Sequence, residues 1–310
     1  MITIDAHQHF WRTAAQEQPW RTDAHQALER DYLPDDLDPE LCRAGVDGTV
    51  LMQSVDEPAE NDRLAGFAGH PSVAGAVAWI PIKEPDTALT ELDRVRIDKL
   101  SGVRCLIAKD PLDWLTETPT LRMFEKIARR GLAWDVVPIT DRQISQVIKL
   151  ARLVPELKII VDHLGRPPLD TGGWNPWADR MAELARSPAV ALKVSVGIDA
   201  LTAWPSWDPA ELDRYVAHAV EQFGAERLLL GSNWPVVLLR TSYASAWHDL
   251  RSLLFDHLST EDERAAVVGG TAARIYRLEP ARPDRTVDQQ SANTSLNRNR
   301  TESASSKERP

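Results

Sequence analysis

Eight short apolar runs, rich in β-branched residues, recur along the chain and limit its fold more than any other feature. Each run has the length of a β-strand, and the longer stretches between them carry Leu, Ala and Val at helical spacing. The runs occupy residues 2–6, 48–52, 74–80, 102–107, 132–137, 158–162, 190–194 and 227–231. The sequence therefore predicts eight strands that alternate with helices.

Two of the stretches between the runs also carry helix start and stop signals. Residues 208–223 begin with Asp208 as a predicted N-cap, and Gly224 follows as a stop signal. Residues 120–130 begin with Thr120 as a predicted N-cap. Eight strand-and-helix units in about 280 residues predict an α/β chain folded as a (β/α)8 barrel. A doubly wound open sheet is the alternative, but the first run lacks the glycine-rich loop typical of that fold.

Composition limits the partners and the compartment. The 46 acidic residues outnumber the 36 Lys and Arg, giving a formal net charge of −10, so the surface should repel nucleic acid and anionic lipid. We therefore expect a small-molecule substrate and neither a nucleic-acid nor a membrane partner. The two cysteines, Cys42 and Cys105, are too few for a disulfide scaffold, and the first residues lack a signal-peptide pattern. These features predict a cytoplasmic protein.

The end of the chain differs from the rest. Residues 280–310 are polar, mix charges of both signs and contain almost no apolar side chains. Such a segment cannot bury enough apolar surface to offset the entropy lost on ordering. We predict one barrel domain over residues 1–279 and a disordered polar tail over 280–310.

Histidines follow two of the predicted strands, where a barrel of this kind forms its active site. Strand alternation places His7 and His9 on one face, as a metal pair or a polar clamp. The sixth run ends in Asp162 and His163 and leads into a turn that contains Arg166. A third imidazole could therefore reach the same mouth of the barrel.

Strands four and eight add further polar groups. An inward-facing Arg104 needs an anionic partner, and Lys109 lies in the loop beyond it. Asn233 follows the eighth run and should face the mouth of the barrel. Nothing in the sequence near Cys105 would lower the pKa of a thiol, so this cysteine is predicted to be a core residue.

Eleven tryptophans are many for 310 residues, and several lie beside predicted loops. Indole rings that line a pocket suit a ring-shaped or polyhydroxylated ligand, although ordinary packing explains any single one of them equally well. The residues concerned are Trp11, Trp79, Trp114, Trp174, Trp177 and Trp234.

Four motifs together resemble the amidohydrolase-related family, and within it the branch of sugar-acid lactonases of the L-fuconolactonase and L-rhamnonolactonase type. They are IDAHQHFW at residues 4–11, DHLGRP at 162–167, GSNWPV at 231–236 and GGTAARIYRL at 269–278. Gln53 and Trp79 also resemble that branch. The resemblance implies a (β/α)8 barrel, hydrolysis of a cyclic ester and a place in carbohydrate metabolism.

The resemblance also implies roles for individual residues. His7, His9 and His163 would be ligands of one weakly held divalent metal ion such as zinc or, without a metal, would bind the lactone carbonyl oxygen directly. The expected catalytic residues are these three histidines and Asn233. The expected substrate-binding residues are Trp11, Gln53, Trp79, Arg104, Lys109, Arg166 and Trp234.

The chain departs from the family pattern at its strand-eight motif. The family usually has an aspartate where this chain has Asn233, and a carboxamide cannot accept a proton from water as a carboxylate can. Asp135 and Asp162 are alternative bases, although strand alternation predicts that Asp162 points away from His163, and Asp135 could instead cap a turn. No lysine at a strand end is evident as a further metal ligand.

Three functions are consistent with these residues. The first is a lactonase that opens a sugar-derived or carboxylated lactone by attack of water. The second is a decarboxylase or other lyase that acts on an unsaturated or aromatic acid, with Arg104 and Lys109 holding the carboxylate. The third is a binding barrel without catalytic activity.

Overall fold

A computed structural model describes residues 1–278, and the tail predicted over 280–310 lies outside the described residues. Eight parallel strands follow one another around a single sheet in chain order. They are β1 (Ile4–Gln8), β2 (Gly48–Met52), β3 (Val73–Trp79), β4 (Leu100–Arg104), β5 (Ala133–Val136), β6 (Lys158–Val161), β7 (Val190–Val194) and β8 (Leu228–Leu230). All eight predicted strands are confirmed, with ends that shift by up to three residues.

The sheet curls until its first and last strands meet. The His9 N–H donates to the Trp234 carbonyl at 2.8 Å, and the Asn233 N–H donates to the His7 carbonyl at 2.8 Å. Gly231 permits this approach, because a Cβ atom there would lie 2.9 Å from the Cβ of His7. The sheet is therefore a nearly closed (β/α)8 barrel, and the alternative of an open doubly wound sheet is wrong.

Helices surround the barrel and cover its amino end. They are α1 (Pro34–Ala44), α2 (Pro58–Ala68), α3 (Pro85–Arg94), α4 (Thr118–Arg129), α5 (Asp141–Leu153), α6 (Trp177–Ala185), α7 (Ile198–Ala203), α8 (Pro209–Phe223), α9 (Tyr243–Asp256), α10 (Glu261–Ala265) and α11 (Thr271–Tyr276). Within residues 1–278, none of these helices is long and apolar enough to cross a membrane.

The predicted N-cap is confirmed for one of the two helices and wrong for the other. Asp208 caps α8, because its side chain accepts a hydrogen bond from the Ala210 N–H at 3.0 Å. The prediction that Thr120 caps α4 is wrong, since the helix begins at Thr118 and Thr120 is buried inside it. Pro119 explains the difference, because proline suits the first turn of a helix.

The inside of the barrel is filled by side chains from the strands and from α11. A π-helical turn, Ala266–Gly270, joins α10 to α11. Gly269 lets this turn approach the start of β1, since a Cβ atom there would lie 2.2 Å from the Ile2 carbonyl oxygen. Tyr276, at the end of α11, is buried within this interior. The amino ends of the strands are thus covered, and the site must lie at their carboxyl ends.

Candidate active site

A cavity of about 380 Å³ lies at the carboxyl ends of the strands. Its polar lining includes six of the site residues predicted from the sequence: His9, Arg104, Lys109, His163, Arg166 and Asn233. Its walls are mainly aliphatic and come from Leu106, Ile107, Val137, Ile139, Ile198 and Val236. This combination of apolar walls and a few convergent polar groups is typical of a small-molecule site.

Three imidazoles converge beneath this cavity. The Nε2 atoms of His7 and His9 are 3.2 Å apart, and the ring centroids of His7 and His163 are 4.5 Å apart. The Nδ1 atom of His9 lies 3.0 Å from the Met52 carbonyl, and that of His163 lies 2.9 Å from Ser195 Oγ. Burial lowers the pKa of both His9 and His163 to about 3, so these rings are neutral at neutral pH.

Asp162 lies in the same cluster, so the prediction that it points away from His163 is wrong. Its Oδ1 atom is 3.5 Å from His7 Nδ1, and its Oδ2 atom is 3.3 Å from Arg104 Nε. The reason is that β6 ends at Val161, and His163 adopts a left-handed backbone with φ +56°. Alternation between the two faces of a strand therefore does not extend to these two residues.

Lys193, on β7, is a central group that the sequence analysis missed. Its side chain is fully buried, and its Nζ atom lies 2.5 Å from Asp135 Oδ1, 3.0 Å from Asp162 Oδ1 and 3.3 Å from His7 Nδ1. The available signal was a lone lysine inside an otherwise apolar strand, because a charge in such a place needs buried carboxylate partners. Lys193 contacts carboxylates and His7 here, so the expectation that no lysine serves as a further metal ligand stays a prediction.

Asp135 completes the buried cluster and does not cap a turn. Its Oδ1 atom accepts a hydrogen bond from the Tyr276 hydroxyl at 2.5 Å. Burial raises the pKa of Asp135 to about 6. Burial would also raise the pKa of Asp162, but the charge of Lys193, with His7 and Arg104, holds it well below its usual value. Among the described residues, neither carboxylate lines the cavity, so neither contacts a substrate there directly.

Asn233 sits at the edge of the cavity in a left-handed backbone conformation with φ +58°, which asparagine adopts more readily than most residues. Its Nδ2 atom donates to the Val196 carbonyl at 2.8 Å. The amide nitrogen is thus engaged by the protein, and Oδ1 remains as an acceptor. A carboxylate at this position could not donate to Val196.

Part of this cluster fits a metal ion. His7, Asp162 and His163 offer ligand atoms that all lie within 4.8 Å of one another. Two imidazoles and a carboxylate are a common donor set for zinc, and both oxygens of Asp162 lack a hydrogen-bond donor of good geometry. His9, which was predicted as a third ligand, is not a member of this group within residues 1–278. The arrangement therefore fits one zinc ion, with Asp162 in the place expected for His9.

The predicted substrate-binding cations all line the cavity. Arg104 lies at its base, where Nη1 donates to the Gln53 carbonyl at 3.0 Å. Arg166 pairs with Asp199 at the rim. Lys109 is exposed at the rim and, among the described residues, forms no ion pair. The cavity thus offers positive charge at its base and at its entrance.

The other four predicted substrate-binding residues are buried and, within residues 1–278, do not line the cavity. They are Trp11, Gln53, Trp79 and Trp234. Trp11 Nε1 donates to the Arg30 carbonyl at 2.9 Å, and the Trp234 ring packs against Phe10 and Tyr32. The main-chain and side-chain oxygens of Gln53 lie 3.0 and 3.4 Å from Arg104 Nη1. Gln53 thus contacts the site through Arg104, whereas the three tryptophans are buried in the core.

One tryptophan and one cysteine also line the cavity, within the described part of the chain. The tryptophan is Trp20. Cys105 also lines it, and burial raises the pKa of its thiol to about 12, which agrees with the prediction that it is not a nucleophile.

Several known proteins are similar to this chain. The family model described as Amidohydrolase matches residues 4–278. An L-fucono-1,5-lactonase of Burkholderia ambifaria is 34% identical and covers 89% of this chain and 96% of its own. One of Burkholderia multivorans is 31% identical and covers 90% and 98%. A crystal structure of a Burkholderia multivorans amidohydrolase with bound zinc has a TM-score of 0.80 at 29% identity, covering 90% of this chain and 100% of that chain. The family match includes His7, His9 and His163.

Proposed function

Because the chain belongs to the amidohydrolase family, we propose that it is a hydrolase that opens a sugar-derived or carboxylated lactone by attack of water on the ring carbonyl. The observation that carries this proposal is the convergence of His9, His163 and Arg104 in the lining of one cavity. The similarity to two L-fucono-1,5-lactonases supports the cyclic ester as the bond that is cleaved.

The base of the cavity stabilises the negative charge that forms on the carbonyl oxygen. The Ser195 hydroxyl can donate to His163 Nδ1 at 2.9 Å, which leaves the imidazole proton on Nε2. Arg104 uses Nε for Asp162 and Nη1 for Gln53, and among the described residues Nη2 has no protein acceptor. These donors are held in place before the substrate arrives. Such preorganised stabilisation of the charge that forms in the transition state usually contributes more to the rate of an enzyme than any other effect.

Asn233 orients the attacking water. Its Oδ1 atom accepts a hydrogen bond from the attacking water, whose other proton goes to the departing ring oxygen. The water oxygen bonds to the carbonyl carbon, the ring carbon–oxygen bond breaks, and the departing ring oxygen takes up a proton. The product is a hydroxy acid, which releases one proton at neutral pH. This assignment gives Asn233 a positioning role in place of the usual strand-eight base.

A zinc ion, if bound, would be held by His7, Asp162 and His163 and would polarise the carbonyl or lower the pKa of water. The cations Lys109 and Arg166 at the rim would attract a carboxylated substrate or help to release the acidic product. The aliphatic walls would exclude bulk water from around the carbonyl, apart from the attacking molecule.

The test is a pH-indicator assay of the purified protein with aldonolactones and carboxylated lactones, in the presence and absence of a chelator. We expect acid release above the spontaneous rate, with release falling at least about 100-fold for His163→Asn. His257→Asn, at a histidine paired with Asp213 outside the cavity, is the matched control and should retain full activity. Loss of activity on chelation would assign a required divalent ion.

The assay also separates the alternatives. If the folded protein hydrolyses none of these lactones, the proposal is wrong. Carbon dioxide release from unsaturated or aromatic acids would then identify the lyase, and thermal stabilisation by a ligand without turnover would identify the binding barrel.

A further inference from the structure

The buried ammonium of Lys193 contacts the groups that a metal ion would use. Two of its polar contacts, His7 Nδ1 at 3.3 Å and an ion pair with Asp162 Oδ1 at 3.0 Å, involve residues of the zinc-compatible group. A third contact, with Asp135 Oδ1, is 2.5 Å long. All four side chains have no exposed surface, so no solvent screens these contacts.

Lys193 is also fixed in this position from below. Asp135 holds the ammonium and is itself held by the Tyr276 hydroxyl, while Met52 Sδ lies 3.5 Å from Lys193 Nζ. If the ammonium moved away, Asp135 and Asp162 would be left as buried carboxylates without their nearest cation, which is costly. The position of the positive charge is therefore built into the barrel interior.

The contact with Lys193 favours one tautomer of His7, because Nδ1 is nearer to the ammonium, at 3.3 Å, than to Asp162 Oδ1, at 3.5 Å. An ammonium group can only donate, so in this tautomer the contact occupies the lone pair on His7 Nδ1. The proton of the neutral ring then lies on Nε2, which faces His9 Nε2 at 3.2 Å and can donate to it. His9 can accept there, because its Nδ1 proton points to the Met52 carbonyl at 3.0 Å. In this arrangement neither nitrogen of His7 has a lone pair left for a metal.

We propose that the Lys193 ammonium serves as an internal cation of the active site and competes with a divalent metal ion for His7 and Asp162. Zinc can bind only when the ammonium withdraws from these two groups. This chain therefore binds zinc weakly, and removal of the ammonium should strengthen zinc binding. The proposal concerns metal affinity and holds whether or not the chain hydrolyses lactones.

The experiment compares zinc affinity between variants, by competition with a chromophoric chelator and by metal analysis after equilibrium dialysis. The first variant is Lys193→Met, which keeps the length of the side chain. The second combines Lys193→Met with Asp135→Asn, which removes one positive and one negative charge, keeps an acceptor for Tyr276 and so protects folding. We expect zinc to bind at least about tenfold more tightly to the second variant than to the wild-type protein.

Lys109→Met is the matched control, because it removes a cation that lines the cavity without contacting His7 or Asp162. Its zinc affinity should change by less than about twofold, since an exposed charge is screened by solvent. Equal or weaker zinc binding by the combined variant, or an equal gain in the control, would overturn the proposal.

A second measurement needs no variant. In a crystal of the wild-type protein soaked with zinc, Lys193 Nζ should have left His7 wherever zinc density is present. Zinc bound to His7 and Asp162 with the lysine contact intact would contradict the competition.

Discussion

The surroundings of Asn233 suit an amide side chain. Replacement by aspartate removes the donor to the Val196 carbonyl and buries a carboxylate against that oxygen. We predict that Asn233→Asp lowers the free energy of unfolding by about 1–3 kcal/mol at pH 7. Burial would raise the pKa of the new carboxyl, so the loss should shrink as the pH falls toward 4 and the acid form donates to Val196. Urea unfolding at both pH values measures this, and a loss independent of pH would argue against it.

The two cysteines should differ sharply in reactivity. Cys42 is exposed, whereas burial raises the pKa of Cys105 to about 12. At pH 8 only about one Cys105 in 10⁴ is then a thiolate, because the pKa lies four units above the pH. We predict that a thiol-specific reagent labels one cysteine in the native protein and two after denaturation. Rapid labelling of the native Cys42→Ser variant would contradict the prediction.

The π-helical turn between α10 and α11 is the element whose packing is most sensitive to one methyl group. We predict that Gly269→Ala destabilises the protein by about 2–4 kcal/mol, because its Cβ atom would lie 2.2 Å from the Ile2 carbonyl oxygen. Gly66→Ala is the matched control: it lies within α2 and its Cβ atom would meet nothing within 4 Å. This control should stabilise the protein by up to about 1 kcal/mol. Thermal or urea unfolding of both variants gives the comparison, and similar effects from both would refute it.

The strands were predictable because each contains or overlaps a short run of apolar and β-branched residues. The pairing of His7 with His9 followed from strand alternation, which continues one residue past the end of β1. The positions of Asp162 and Lys193 could not be predicted from strand alternation. Asp162 and His163 lie just beyond the end of β6, where the positive φ of His163 replaces alternation by a turn. Lys193 depends on carboxylates from β5 and β6, and sequence periodicity carries no information about which charges meet across a barrel. The site could be located from the sequence, but its buried charge network could not.

Across the whole molecule, a line of buried polar groups connects the closed end of the barrel to the active site. It runs from Tyr276 on α11 through Asp135 and Lys193 to Asp162 and His7, each step within 3.3 Å. We predict that Tyr276→Phe lowers the free energy of unfolding by about 1.5–3 kcal/mol, the range for a lost hydrogen bond to a charged group. Tyr32→Phe, which loses a bond to the neutral Ala27 carbonyl, should cost only about 0.5–1.5 kcal/mol.

The pH dependence distinguishes this line of groups from simple packing. The pKa of Asp135 is raised from 3.8 to about 6, so this carboxyl favours the folded state at low pH and that contribution is lost as the pH rises through about 6. The Tyr276 hydroxyl lowers the pKa of Asp135, and its removal should raise that pKa further. The cost of Tyr276→Phe should therefore be greater at pH 7 than at pH 5, whereas the cost of Tyr32→Phe should be the same at both. Equal costs for Tyr276→Phe at the two pH values would mean that the hydroxyl does not stabilise the ionised form of Asp135, which would contradict the prediction.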